Sequence, residues 1–343
     1  MATENAPRNH FDQIQEGYRK NFLTTQKLHK EGTPIIRAAI LWLGIRGFHT
    51  ATLPASTKNH MKHQPVLLEE VIELLRPQKG QVVVDGTFGL GGHAQAIATL
   101  IGRGGKLIGI ERDKRTLKMV EDITKELPQI KLIHGNFADI EKILSSIGIN
   151  KADSVLLDLG ISSEQLDAAE YGLSWQVSAP LDMRLEGESE TALELLRRLS
   201  EKELADLLYQ NADEYRSRKI ARAIKENIAA IKTTKDLAEV VARAIGGRGR
   251  IHPATKTFQA LRVAVNHEQE NLMSFLESAP KVIKPGRRLA IISFHSGEDR
   301  IVKQEFKKDI WEMLTKKPIV SSPAEISRNP RARSAKLRVG VRK

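Results

Sequence analysis

No cysteine occurs among the 343 residues, which excludes disulfides, thiolate metal ligands and a cysteine nucleophile. The chain also lacks an apolar run near the roughly 20 residues that a membrane span needs. Its best candidate, residues 34–48, is short and contains Arg37 and Arg46. A secretory signal is disfavoured because Glu4, Asp12 and Glu16 stand where a basic and then apolar leader belongs. The absences indicate a protein of a reducing compartment that does not enter a membrane.

Positive charge is in excess, with a net charge of +12 and an isoelectric point near 9.7. Hydrophobic residues at 41% and charged residues at 28% are ordinary for a globular protein. The excess favours a polyanionic partner, nucleic acid before an anionic membrane surface.

Three regions differ in pattern. Residues 1–60 are polar and largely without periodicity, and we interpret them as a disordered appendage or as an over-long start, with Met61 as the true initiator. A mitochondrial leader is the alternative, although acidic residues near the start argue against it. Residues 61–165 and 255–343 are predicted to form an α/β domain, and residues 166–254 an all-helical insert.

Alternating strand and helix patterns start after residue 80 and predict βαβ units around a mostly parallel sheet. The predicted strands are residues 81–85, 106–111, 131–134 and 154–158, and later 288–294 and 336–341. The predicted helices between the first four strands are residues 92–101, 114–126 and 140–147. Pro285-Gly286 is predicted as the turn before the fifth strand, and the last strand as a sheet edge. In the insert, helices are predicted at residues 191–199, 201–210, 213–231 and 233–245. After the insert, a helix at residues 268–282 resumes the α/β pattern.

Cations cluster in the insert and near the C-terminus, where phosphate neutralisation requires them. The candidate RNA-binding residues are Arg216, Arg218, Arg222, Arg331, Arg333 and Lys336. For the helix that carries Arg216, Arg218 and Arg222, a solvated charged face explains the cluster of cations equally well. A glycine- and arginine-rich loop, residues 246–250, adds two cations on flexible backbone.

A glycine-rich loop follows the first strand. Asp85 ends that strand, and Gly89, Gly91 and Gly92 follow in a spacing that differs from Gly-x-Gly-x-x-Gly. An acid followed by spaced glycines suits a ligand with a zwitterionic amino-acid end better than a pyrophosphate, although a tight βα turn alone would also use glycines. Asp85 and Gly89 are expected to line this loop.

Acids end two further strands, Glu111 and Asp158, and open α/β sheets bind ligands at that edge. Glu111 is placed to accept ribose hydroxyls, and it would repel a 2′-phosphate despite the adjacent Arg112. Phe137, after the third strand, is a candidate adenine contact or a core residue. The three acids predict one cofactor crevice.

Other reaction classes have weak support. His295, Glu298 and Asp299 follow the fifth strand, but neither they nor His252 show a recognised metal-ligand spacing, so we expect no metal. No serine lies in a Gly-x-Ser-x-Gly elbow, which argues against a serine hydrolase.

Six sequence blocks together resemble the RsmH (MraW) methyltransferases. The resemblance extends over about residues 61–343, and the blocks are residues 85–93, 158–167, 180–184, 252–262, 293–300 and 329–338. It implies a class I S-adenosylmethionine-dependent methyltransferase, with a Rossmann-like sheet, that methylates the exocyclic N4 of a cytidine in the decoding region of small-subunit ribosomal RNA. Leu90 stands where the family often has Arg, Gly297 where Leu is common, and residues 172–180 also depart from it.

The resemblance also implies roles for single residues. Gly91, Gly92 and His93 would hold the methionine end of S-adenosylmethionine, and Glu111 the ribose. Phe137 would pack near the adenine. The cofactor site would be completed by Asp158 and Gln165.

For the proton on N4, Asp158 is the first candidate acceptor, with Asn266 and His295 as contributors. The expected partner is small-subunit ribosomal RNA or the ribosomal subunit, no membrane is expected, the compartment is cytoplasmic, and a homodimer is left open. Two alternative functions remain: a nicotinamide-dependent oxidoreductase and a non-catalytic RNA-binding ribosome assembly factor.

Overall fold

Strands and helices alternate in the first half of the protein. The computed structural model describes residues 65–187, 189–246 and 252–343. The predicted appendage, residues 1–60, and most of the loop at residues 246–250 lie outside the described residues. The elements up to residue 158 are α1 (Leu68–Leu75), β1 (Val82–Asp85), α2 (Gly92–Ile101), β2 (Lys106–Glu111), α3 (Lys114–Glu126), β3 (Ile130–His134), α4 (Ile140–Ser146) and β4 (Ala152–Asp158).

Local sequence explains these elements. β1, β2 and β4 are runs of mostly apolar residues that are largely buried, as parallel strands under helices require, whereas β3 at the end of the sheet is only partly buried. Helix α3 begins at a polar cap: the Asp113 carboxylate accepts the Arg115 backbone N–H at 2.9 Å. The bounds of α2, β2 and α3 are those predicted.

Four more strands follow later in the chain: β5 (Ile283–Ser293), β6 (Trp311–Met313), β7 (Ile319–Val320) and β8 (Lys336–Arg342). The sheet has eight strands in the order β3-β2-β1-β4-β5-β8-β6, with β7 also paired to β8. The first five strands are parallel, and β8 runs antiparallel to β5 and β6. β1 therefore lies between β2 and β4, which places the ends of these three strands side by side at one edge.

A block of helices follows β4, and the remaining strands come after it. The block contains α5 (Ser163–Asp167), α6 (Ala192–Arg198), α7 (Glu201–Ala212), α8 (Ser217–Glu226), α9 (Thr234–Ile245) and α10 (Thr255–Val265). The remaining elements are α11 (Glu268–Val282), β5 (Ile283–Ser293), α12 (Ser296–Glu305), β6 (Trp311–Met313), β7 (Ile319–Val320), α13 (Pro323–Arg328) and β8 (Lys336–Arg342).

One helix prediction in the block needs correction. The helix predicted at residues 213–231 is shorter, because Asp213 adopts a left-handed conformation with φ 48° that ends α7, and α8 starts only at Ser217. Reciprocal capping boxes start the helices on either side: Ser200 with Glu203 at α7, and Thr233 with Asp236 at α9.

Two strand predictions also need correction. Pro285 and Gly286 do not precede β5 but lie within it, at a bulge between the pairs Ala152–Ile283 and Ser154–Arg288. A bulge tolerates proline because its missing N–H interrupts no ladder bond there. The last strand, β8, is an interior strand rather than an edge, because β6 and β7 pair with its far side.

The apolar core has three parts. Two clusters cover the two faces of the sheet, and the third lies inside the helical block. Phe258, Leu261 and Val265 of α10 belong to the third cluster, so we propose that the insert extends to Val265 rather than ending at residue 254. The described residues, from 65 onward, form one compact unit. In the described ranges no helix combines the length and apolarity that crossing a bilayer requires.

Candidate active site

The glycine-rich loop is shaped by close packing. Phe88 is buried, and a Cβ on Gly109 of β2 would lie only 2.3 Å from its ring. Gly91 caps α2 at φ 76°, a conformation that side chains rarely adopt. Leu90 packs against the same apolar cluster. The loop therefore presents backbone, not a charged side chain, to the edge of the sheet.

The three predicted acids lie side by side at this edge. Burial raises the pKa of Asp85 to about 7, opposed by the Thr87 backbone N–H and increased by the nearby Glu111. Burial also raises the pKa of Glu111, although its carboxylate accepts backbone N–H groups from Gly89 at 2.9 Å and Asp113 at 2.8 Å. Each oxygen still has a lone-pair direction for a ligand hydroxyl.

Asp158 is the least satisfied of the three. Burial, then the charges of Asp85 and Glu298, raise its pKa well above the usual value. Its Oδ1 is shielded from solvent and has no hydrogen-bond partner among the described residues. An unpaired buried carboxyl oxygen is costly, which indicates that a ligand group completes it.

His93 contacts the same acid. Its Nε2 lies 2.9 Å from the Val66 carbonyl oxygen, and because a carbonyl only accepts, Nε2 carries the hydrogen. Its Nδ1 lies 3.6 Å from Asp158 Oδ2. The helix α2 thus brings the predicted His93 beside the predicted Asp158.

Gln165 lies at the base of the insert, and both its amide oxygen and its amide nitrogen are hydrogen-bonded. Its oxygen accepts the Ser162 backbone N–H at 3.0 Å, and its nitrogen donates to Asp113 Oδ2 at 3.0 Å. A contact with the cofactor stays a prediction, but the structure gives Gln165 a role in holding the start of α5.

Asp113 was missed by sequence reasoning. Its Oδ2 accepts hydrogen bonds from Gln165, from Tyr171 Oη at 2.6 Å and from Thr116 Oγ1 at 3.0 Å. Burial would raise its pKa, but these bonds outweigh it and lower the pKa. Asp-x-x-Thr before a helix signals a cap, but no local pattern shows partners fifty residues away.

Phe137 follows β3 and packs edge-on against Phe275 of α11, with ring centroids 5.9 Å apart. Its ring is only partly buried. Its position is therefore compatible both with a core residue and with a contact to adenine, and the adenine contact stays a prediction.

The side-chain amide of Asn266 is hydrogen-bonded at both ends. Its Oδ1 accepts the Leu185 backbone N–H at 2.9 Å, and its Nδ2 donates to the carbonyls of Met183 at 2.8 Å and Arg262 at 3.0 Å. Met183 adopts a positive φ of 66°. The structure therefore shows Asn266 fastening a loop of the insert, and its contribution to proton transfer stays a prediction.

His295 caps α12 and lies in a buried polar cluster. It forms a capping box with Glu298, whose Oε1 lies 3.2 Å from His295 Nε2. Burial would raise the pKa of Glu298, but the contact with His295 and the charge of Arg262 lower it. A contribution of His295 to catalysis stays a prediction.

The same cluster has spacing suited to a metal. Glu268, His295 and Glu298 offer ligand atoms within 4.8 Å of one another. However, Arg262 Nε lies 2.9 Å from Glu268 Oε1, so a guanidinium already supplies the positive charge that these carboxylates require.

The predicted RNA-binding cations divide into two groups. Arg216, Arg218, Arg222 and Arg333 are exposed. Arg331 contacts Asp167 at 3.3 Å, and Lys336 contacts Asp299 at 3.4 Å. Arg331 and Lys336 are therefore paired with acids, as is Arg222, which lies 3.5 Å from Glu201, whereas Arg216, Arg218 and Arg333 belong to none of the described ion pairs.

A parallel sheet of this order, with a glycine-rich loop after β1 and acids at three neighbouring strand ends, defines a class I S-adenosylmethionine-dependent methyltransferase. The chain belongs to the MraW methylase family, whose sequence model matches residues 60–343.

Curated relatives agree with this placement. The chain is 46% identical over 288 residues to ribosomal RNA small subunit methyltransferase H of Sorangium cellulosum, covering 82% of this chain and 91% of the relative. It is 45% identical over 290 residues to the protein of the same name from Coprothermobacter proteolyticus, covering 82% and 96%. The solved structure of TrmN from Thermus thermophilus is 10% identical, with a TM-score of 0.40 over 81% of this chain and 48% of that one, a level at which no residue role transfers.

Proposed function

We propose that this protein methylates the exocyclic N4 of a cytidine in the decoding region of small-subunit ribosomal RNA, with S-adenosylmethionine as the methyl donor. Membership of the MraW methylase family and the name shared by its relatives support this reaction. The observation that carries it is Asp158, whose Oδ1 is buried and unpartnered at the strand edge.

The residues at the edge fit a cationic cofactor. Among the described ion pairs, none joins a lysine or arginine to Asp85 or Asp158, and burial raises the pKa of both carboxyls. A positive ligand placed there would offset their burial. Glu111 would accept the ribose hydroxyls, and the backbone of Gly91 and Gly92 with His93 would hold the amino-acid end.

S-adenosylmethionine supplies an already activated methyl group, so the protein contributes mainly alignment. The lone pair of cytosine N4 is delocalised into the ring, which makes N4 a poor nucleophile. Asp158 Oδ1 would accept an N4 hydrogen, localise the lone pair and receive the proton. The base must be unpaired to reach this edge of the sheet, because a stacked base is inaccessible.

The helical insert would bind the RNA backbone. Arg216, Arg218 and Arg222 are exposed cations on or beside α8. Neutralising phosphates releases counterions, so affinity should fall steeply with salt. Deleting the insert while sparing the sheet should abolish RNA methylation and retain S-adenosylhomocysteine binding.

The test is incubation of the protein with labelled S-adenosylmethionine and small-subunit RNA or subunits, followed by mapping of the labelled base. Label on a cytidine N4 supports the proposal, and no label on any RNA contradicts it in favour of a non-catalytic assembly factor. A thermal shift with NADH but none with S-adenosylhomocysteine would instead support an oxidoreductase.

The substrate also sets the compartment. We place the protein in the cytoplasm, where bacterial ribosomes are assembled, or in the mitochondrion if residues 1–60 act as a leader. Localising a fluorescent fusion of the whole chain, with and without residues 1–60, distinguishes the two.

A further inference from the structure

Two exposed tyrosines face each other on the helical block. Tyr209 lies in the last turn of α7 and is 51% exposed, and Tyr215 lies in the connection to α8 and is 81% exposed. Their rings are 6.0 Å apart at 69°. Tyr215 is the most exposed of the large apolar side chains in the described ranges. Aromatic surface left in water is a mark of a contact surface.

The connection that carries Tyr215 is fixed in place. The Asp213 carboxylate accepts a hydrogen bond from the Ser296 hydroxyl and lies 3.4 Å from Arg300. Lys256 Nζ donates to the Asp213 carbonyl oxygen at 2.7 Å. Since Ser296 directly follows His295, these contacts hold Tyr215 next to the start of α12 and the carboxyl end of β5.

Positive charge surrounds the rings. Lys256 Nζ lies 5.5 Å from the centroid of the Tyr215 ring, within the range of a cation–π contact. Arg216, Arg218 and Lys219 follow directly and are exposed. Aromatic faces interleaved with cations are the arrangement by which proteins hold single-stranded nucleic acid, because bases stack on the rings and phosphates lie against the cations.

We propose that Tyr215, supported by Tyr209 and Lys256, is a stacking platform for an unpaired RNA base next to the target nucleotide. The proposal rests on the proposed RNA methylation and adds a contact that charge alone does not provide. The partner is single-stranded RNA rather than a protein surface, because the cations beside Tyr215 match a phosphate backbone. Stacking here would keep the strand extended between the insert and the strand edge.

The experiment measures the Kd for a fragment of small-subunit RNA that the wild-type protein methylates, at several salt concentrations. Tyr215→Ala should raise Kd by between about 5-fold and 150-fold, the usual value of one stacked base, without changing the slope of log Kd against log salt. Tyr215→Phe keeps the ring and should stay within about twofold of wild type. Arg218→Ala should reduce the salt slope by about one. Met119→Ala, at a 59% exposed position on α3, is the control.

A second measurement reports base stacking directly instead of affinity. In RNA carrying 2-aminopurine beside the target cytidine, binding to wild-type protein should quench the fluorescence, and binding to Tyr215→Ala should not.

The outcomes separate the two proposals. A Tyr215→Ala Kd within twofold of wild type, or equal quenching by both proteins, overturns the platform. Unchanged RNA binding with reduced methylation of assembled subunits also overturns it, because the tyrosine would then contact a ribosomal protein. If wild-type protein methylates no small-subunit RNA, the proposed function fails instead.

Discussion

Buried acids at the strand edge differ from buried acids elsewhere in the protein. Burial raises the pKa of Asp85, Glu111 and Asp158, and nothing in the surrounding protein fully offsets it. Asp113 and Asp153 are also buried, but hydrogen bonds and, for Asp153, the cations of Lys284 and Arg287 outweigh burial and lower their pKa. The protein can satisfy its buried carboxylates, so three neighbouring carboxyls whose burial is not offset, one of them with an unpartnered oxygen, indicate a ligand site at this edge.

The largest expected effect is on catalysis at Asp158. Asp158→Asn should slow single-turnover methyl transfer by at least about 100-fold, because the amide cannot receive the N4 proton. The fold should be retained, since Asn removes a poorly solvated charge. Asp122→Asn, an exposed acid on α3, is the control. An unchanged rate with normal cofactor affinity would rule out Asp158 as the acceptor.

Replacing a hydrogen-bonded buried acid should destabilise the fold, unlike replacing Asp158. Asp113→Asn removes the oxygen that accepts from Gln165, Tyr171 and Thr116, and should lower the free energy of unfolding by about 3 kcal/mol. Urea denaturation measures this. In the same assay Asp158→Asn should be neutral or stabilising, and equal losses for both variants would contradict the comparison.

The pH dependence of stability sharpens the comparison at Asp85. Its folded-state pKa of about 7 lies above the usual 3.8, so the folded protein holds this proton more tightly than the unfolded chain. The contribution of Asp85 to the free energy of unfolding is complete below pH 4 and is lost as pH rises through about 7. Between about pH 5 and pH 8 the free energy of unfolding should therefore fall in the wild type, and in Asp85→Asn it should fall by about 2 kcal/mol less. Parallel profiles for the two proteins would show that Asp85 is ionised in the fold.

Replacing an exposed acid should change the free energy of unfolding least. Asp167 is 70% exposed and pairs with Arg331 at 3.3 Å. Asp167→Asn should change the free energy of unfolding by less than about 0.5 kcal/mol, as surface ion pairs do. Thermal unfolding measures the change, and a loss as large as that of Asp113→Asn would mean that exposure does not decide the outcome.

Local sequence patterns predicted the features that are determined by residues close together in the chain. The periodicity of α2, α3 and β2 and the acids at three strand ends needed only residues close in the chain. The contacts of Asp113 and Asn266 could not be predicted because their partners are far away in the chain, Tyr171 for the first and Leu185 for the second. The two-residue β7 is too short to carry a periodicity signal. The burial that sets the carboxyl pKa values appears only when the strands are assembled.

The insert is held by buried hydrogen bonds near both of its ends. Asp113, beside the ribose-binding candidate Glu111, accepts a hydrogen bond from Tyr171, and Asn266, before α11, bonds to the backbone at Met183 and Leu185 within the insert. A swing of the insert away from the sheet would have to break the buried bond between Tyr171 and Asp113. Under the proposed RNA methylation, the nucleotide would therefore bend and unstack to reach a surface that these bonds hold in place.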